Sequence, residues 1–342
     1  MEIYPKDGHK RAKAMLKKPI LPIIISIFCV TSYLFAGENE KEVFQTRMIH
    51  ESTTFSQGPN TYITVGIGGM SGDTTYQIGG RCVTPSGSGI YHFSISELTF
   101  PLDIWMISVE ESKEFVKKNL KVSVGVKKTY TRDAGKMEDS DWLTSTNPSQ
   151  LDVYSQSDAY LDALILGINI SHRFFERPHW SFIAGVGYIY QNFDYECKLN
   201  RQWSPSGLSG YDYTGTGSVD LTYELTYSIP YIEIGTQYIF TNKWSLVTSL
   251  GYSPIVHAED LDVHVLRAKV SEGDCDGDAI LFSLKGRCNV SRSWFFALQL
   301  DYTYIKTDGR QKQYTDGAWS ATIDQEITSE QLFGALSAGY AF

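Results

Sequence analysis

Tyr231-Ile232-Glu233-Ile234-Gly235-Thr236-Gln237-Tyr238-Ile239-Phe240 alternates with a period of two. Ile232, Ile234, Tyr238 and Phe240 fall on one face of an extended chain, and Glu233, Gly235 and Gln237 on the other. A second stretch, Trp180 to Tyr190, puts Phe182, Ala184, Val186, Tyr188 and Tyr190 on one face, with a partly glycine face behind them. Both read as strands with two unlike faces. Similar segments recur from Thr61 onward and suggest about ten strands: 60–74, 90–108, 119–132, 155–174, 179–196, 218–240, 243–263, 264–287, 292–308 and 323–342.

The connections alternate in length. Glu176 to His179, Thr241 to Lys243 and Asn289 to Arg292 are short; Arg132 to Val153, Lys198 to Gly217 and Asp308 to Thr322 are long, polar and rich in Gly, Ser and Asp. Short turns at one rim and long loops at the other, with Trp180, Tyr190, Phe240, Trp244, Trp294, Tyr302 and Tyr304 near segment ends, are the pattern of a membrane barrel and its aromatic girdles. The last strand sets Leu336, Ala338, Tyr340 and Phe342 on one face, and its terminal aromatic resembles the assembly signal of bacterial outer-membrane proteins. The expected fold is all-β: a ten-stranded antiparallel transmembrane β-barrel with long extracellular loops and short periplasmic turns. Tyr at 22 and Gly at 29 of 342 residues agree with β structure.

The N-terminus reads as an export signal. Lys17 and Lys18 precede an apolar run from Ile20 to Val30 that is too short to span a bilayer comfortably, and Ala36-Gly37 offers a cleavage point. Met15 starts a signal of ordinary length. The expected organisation is an N-terminal extension plus signal over 1–36, a short periplasmic segment over 37–59 and the barrel over 60–342. Residues 1–36 carry +4 of a total formal charge of −9, leaving −13 on the remainder. That balance argues against nucleic acid and favours cationic peptides. Cys82, Cys197, Cys275 and Cys288 lack metal-ligand spacing, so no metal is expected; a loop-to-loop disulfide among the first three is an open expectation. Glu272 to Asp278 lacks the closing glutamate of a calcium loop and reads as a solvated acidic loop.

Two acidic pairs carry chemistry. In Asp262-Val263-His264 the strand period puts both side chains on one side, so the carboxylate can orient the imidazole. Asp139 and Asp141, in Met137-Glu138-Asp139-Ser140-Asp141-Trp142, repeat the spacing. Together these are groups for activating a water molecule: an imidazole base and a carboxylate pair whose mutual repulsion favours retaining a proton. No Gly-x-Ser-x-Gly motif is present.

The Met137–Trp142 stretch with Ser145-Thr146-Asn147-Pro148, and Tyr252-Ser253 followed by Val256 and Asp260 to His264, resemble the omptin family of outer-membrane aspartyl-type endopeptidases. Weaker likenesses occur at Ser71-Gly72, Ser96-Glu97-Leu98, Tyr231-Ile232 and the terminal strand. The resemblance implies that Asp139 and Asp141 face Asp262 and His264 across the extracellular mouth and hold a water, without a covalent acyl-enzyme or cofactor. It implies a substrate pocket in which Asp260 matches a family aspartate, Tyr76 stands where the family has a glutamate, and Asp152 matches an acidic residue of the adjoining pocket. Tyr76 weakens the charge match for Lys or Arg. Family members also bind lipopolysaccharide through outward basic residues. This chain has Tyr190 and Asn192 where that pattern carries Glu and Arg, which leaves lipopolysaccharide dependence open. The expected partners are peptide or protein substrates and outer-membrane lipid, with the protein a monomer. The alternative is a non-catalytic barrel acting as an adhesin or receptor through its loops.

Overall fold

The computed structural model describes residues 60–342 apart from Ser145; the signal and the 37–59 segment read from the sequence lie outside them. Fourteen strands run in chain order: β1 Thr61–Thr84, β2 Gly87–Ile90, β3 Ser96–Pro101, β4 Ile104–Phe115, β5 Leu120–Thr129, β6 Asp133–Asp141, β7 Val153–Glu176, β8 Trp180–Trp203, β9 Tyr213–Thr214, β10 Val219–Ile239, β11 Trp244–His264, β12 Lys269–Asn289, β13 Trp294–Thr315 and β14 Ala318–Ala341. All pairings are antiparallel, and β1 pairs with both β14 and β4. Following the pairs from β4 through β5, β7, β8 and β10 to β14 and back to β1 closes a ring of ten. Closure leaves none of the ten ring strands with an open edge at the level of the lipid, as lipid requires; only the short β2 and β9 are paired on one side alone. No helix among the described residues is long and apolar enough to cross a membrane; the crossing is made by strands.

Two of the ten staves are broken at one height. β1 pairs with β4 as far as Met70–Ile104, then with β3 from Asp73–Pro101. Gly72, at φ 125°, marks that seam, and its carbonyl accepts the Leu102 N–H at 3.0 Å. On the other side, β7 changes partner from β5 to β6. Above the break the wall therefore runs β1–β3–β6–β7, and the count of ten is kept.

The outward faces divide the wall in two. Near the short turns Trp180, Trp244, Trp294 and Phe342 are exposed, and further up Trp105, Tyr188 and Tyr252 are. Exposed aliphatics such as Ile67, Leu298 and Leu336 lie between. These are the two aromatic girdles and the lipid-facing band. Above the upper girdle the outward residues become polar, for example His257, Glu259, Asp274 and Asp276.

Inside, the lower lumen is polar. Lys285 bonds both oxygens of Glu110 at 2.7 and 2.8 Å, Lys127 bonds Asp301 at 2.8 Å, and a cavity of about 300 Å³ opens beside Lys285 and Arg287. Higher up it is closed by an apolar layer: Phe100 stacks on Tyr223 at 4.4 Å and meets Tyr195 at 5.0 Å, with Leu98, Met106 and Phe193 buried in the same core. Below this layer the buried amides of Gln191 and Gln331 bond each other.

Several expected loops are strands. β8 extends to Trp203, β13 and β14 extend to a tight turn at Asp316-Gly317, and the acidic run Glu272–Asp278 lies within β12. The alternation continues above the lipid, where outward residues are polar, so these stretches lose the apolar face that marks a membrane strand. Cys82, Cys197, Cys275 and Cys288 are all free, the first three buried in β1, β8 and β12; the expected loop-to-loop disulfide does not form because these residues sit in the walls rather than in loops.

Candidate active site

β6 ends at Asp141, and the strand period turns Asp139 inward and leaves Asp141 half-buried. Asp139 lies opposite Leu98 of β3 and Ser155 of β7. β11 ends at His264, and Asp260, Asp262 and His264 are inward and buried there, opposite Leu225, Tyr223 and Leu221 of β10. His264 is twelve residues beyond the upper-girdle residue Tyr252. That is about 30 Å above the lipid band at ~3.3 Å per residue and a tilt of ~40°.

The two pairs come together electrostatically. Burial, then the neighbouring Asp141 charge, raises the proton affinity of Asp139 well above that of an ordinary carboxyl, and Asp262 adds to this. Asp141 is also raised by burial, against an opposing hydrogen bond from Ser96 and the nearby basic groups Arg267, Lys269 and His264. The pair thus retains a proton at higher pH than a free carboxyl does. Asp262 behaves in the opposite way. Burial alone would raise it, but the adjacent His264 and hydrogen bonds from His264 and Tyr76 outweigh burial and lower it.

The geometry around Asp262 explains this. His264 Nε2 lies 3.2 Å from Asp262 Oδ2, and the Tyr76 hydroxyl donates to the same oxygen at 2.6 Å. On the other ring nitrogen, Arg267 approaches His264 Nδ1 at 3.0 Å. Arg267 sits in a 3-10 turn, Val265–Arg267, at the tip of the β11–β12 hairpin. Lys269 pairs with His264 in register; burial lowers its proton affinity while Asp262 opposes the shift.

Asp260 forms a separate station beneath. Its Oδ2 accepts from Gln325 Nε2 at 2.7 Å and from the Tyr223 hydroxyl at 3.1 Å, while its Oδ1 is buried against the Gly273 backbone. Burial pushes its carboxyl up to about 7. Gly273 faces it; a Cβ there would lie 1.8 Å from Asp260 Oδ1, so only glycine leaves room for the carboxylate.

The two other residues expected in substrate pockets, Tyr76 and Asp152, are both buried and hydrogen-bonded within the wall and the β6–β7 loop. Tyr76 is buried, stacks 5.4 Å from Tyr223, and directs its hydroxyl across the lumen to Asp262. Asp152 is fully buried and accepts the Thr144 N–H at 2.7 Å, which pins the β6–β7 loop. Burial opposes its ionisation, but hydrogen bonds from Ser206 and Thr144 prevail and lower it. Sequence reasoning missed Arg267 and Lys269, although both follow His264 closely in the chain. It also missed Tyr223, which hairpin pairing of β10 with β11 places beside Asp260, and Gln325, which reaches it from the non-adjacent β14.

A match to the omptin family spans residues 92–332, more than half of the chain. Among solved structures, the outer membrane protease OmpT from Escherichia coli is similar with a TM-score of 0.71 at 16% identity, covering 85% of this chain and 99% of that one. The transport unit of the autotransporter AIDA-I from Escherichia coli (TM-score 0.36, 10% identity, 85% and 93% covered) and a Pseudomonas aeruginosa FadL homologue (0.27, 10%, 83% and 90%) are matched with much lower scores. No curated protein matches by sequence. From the family match, together with its closed ring of ten strands and the fold it shares with that protease, the chain belongs to the omptin family and is an outer-membrane barrel.

Proposed function

We propose that this protein is an endopeptidase that cleaves peptides or proteins outside the cell by direct attack of water. The convergence of Asp139 and Asp141 with Asp262 and His264 at the upper mouth of the barrel carries this reading. In the proposed step His264 takes a proton from water. The hydroxide adds to the scissile carbonyl, and a proton held by the Asp139–Asp141 pair stabilises the oxyanion. The imidazolium then protonates the departing amine. Asp262 holds the ring in place, and Tyr76 holds Asp262. No side chain becomes acylated, and no metal or cofactor takes part.

The mouth faces the exterior in this proposal, so that peptides arriving from outside meet it directly. Negative charge on the described barrel steers cationic substrates toward it, and the Asp260 carboxyl beneath the mouth adds to that field when it is ionised. At neutral pH that carboxyl is only partly ionised, so its share of the attraction for cations grows as pH rises. The protein acts as a monomer, and lipopolysaccharide is tested as a requirement rather than assumed.

The experiment is a fluorogenic peptide library presented to refolded barrel, with and without lipopolysaccharide. His264→Ala and Asp139→Asn, with folding confirmed by heat-modifiable gel mobility, should each lose at least about 100-fold in kcat/KM. Cleavage that persists unchanged in His264→Ala removes the assignment of the base. Binding to partners without any turnover would favour the adhesin or receptor reading.

A further inference from the structure

His264 is held at both nitrogens, and the two holders differ in kind. Arg267 carries only donors, so its contact at 3.0 Å requires Nδ1 to supply the lone pair. The ring proton then belongs on Nε2, which faces the carboxylate oxygen of Asp262 at 3.2 Å. Nδ1 is therefore the one ring atom able to accept a proton, and it is occupied. In this arrangement the base is in the correct tautomer but masked.

We propose that Arg267 masks His264 at rest and that a carboxylate on the bound peptide, beside the scissile bond, draws it away. This rests on the reading of His264 as the base. A guanidinium bonded to a neutral imidazole gains less than one bonded to a carboxylate. Among the described residues neither Arg267 nor Lys269 has a carboxylate oxygen within ion-pair distance, although both act at longer range on Asp139 and Asp141. Arg267 is exposed at a hairpin tip whose next residue, Ala268, lies at φ 47°, so its long side chain can turn outward without moving the strands. A substrate Asp or Glu would exchange a neutral partner for a charged one. Water would then take the vacated place at Nδ1, transfer a proton to it and add through oxygen to the carbonyl carbon. The C–N bond breaks as the imidazolium proton passes to the amine. A peptide can be cationic as a whole and still present one acid at this position.

Two matched fluorogenic peptides, identical except for Glu or Gln next to the cleaved bond and tested on each side of it, decide between masking and a merely structural contact. The wild-type barrel should prefer Glu over Gln by about tenfold in kcat/KM on one side. In Arg267→Ala that ratio should fall to near one, with the Gln peptide cleaved faster than by wild type, and Arg267→Lys should restore part of the preference. A second measurement needs no turnover. In ¹⁵N NMR of histidine-labelled barrel, Arg267→Ala should move the His264 Nδ1 resonance. Saturating N-acetylglutamate amide should move the wild-type resonance the same way, and N-acetylglutamine amide should not. Equal rates on the two peptides in wild type, or an Nδ1 resonance indifferent to Arg267→Ala, overturns the proposal. Hydrolysis that survives in His264→Ala overturns the base instead. If no peptide is cleaved, the NMR comparison alone decides whether Arg267 occupies Nδ1 and yields it to a carboxylate.

Discussion

Asp262 Oδ2 accepts from two residues with different histories in the chain. His264 is two positions away, so strand geometry alone places it. Tyr76 is 186 positions away, and its bond crosses the lumen. This is why the acidic pairs were legible in the sequence and the role of Tyr76 was not: an i, i+2 relation is local, whereas a contact between β1 and β11 depends on closure. Tyr76→Phe keeps the stack on Tyr223 and removes one donor from a buried carboxylate. It should destabilise the barrel by about 1.5–3 kcal/mol and lower kcat while leaving KM nearly unchanged, as read from urea midpoints and steady-state kinetics. Asp260 gives a pH signature. Its folded-state affinity is raised from 3.8 to about 7, so the folded form binds the extra proton. The resulting stability is complete below the unfolded value and is lost as pH climbs through the folded one, by up to about 4 kcal/mol. Comparing unfolding midpoints at about pH 4 and about pH 8, this component of the dependence should vanish in Asp260→Asn.

At the scale of strands, the alternating pattern located ten staves but misplaced their upper ends. The stretches read as loops, such as Asp308 to Thr322, keep the extended backbone and lose only the apolar outward face, because water rather than lipid surrounds them. Period-two reading detects a contrast between faces, and where both faces carry polar groups the contrast fades. The seam at Gly72 was invisible for a different reason: its need for glycine comes from φ 125° and from a neighbour's carbonyl, since a Cβ would lie 2.0 Å from Glu330 O. Gly72→Ala should therefore cost about 1–3 kcal/mol or slow refolding into the heat-modifiable form, a larger effect than the same change at Gly69, where a Cβ meets nothing within 4 Å.

Across the whole molecule, the wall faces three solvents: lipid, water outside, and its own filled interior. Leu298 is 65% exposed midway along the lipid band, beside Leu336 in register. Leu298→Arg should destabilise the barrel by about 2–4 kcal/mol in bilayers, measured by urea unfolding from vesicles, whereas the same change at outward Glu259, above the band, should have little effect. The layer of Phe100, Tyr195 and Tyr223 has a consequence for the cell rather than for the enzyme. Ten staves enclose a tube, and a tube open from end to end would leak ions and admit toxic solutes. Here the buried aromatic rings fill the tube between the polar lower chamber and the mouth, as a stopper would. In a planar bilayer the protein should be electrically silent, showing no conductance steps, until that stopper is cut back by Phe100→Ala and Tyr223→Ala together.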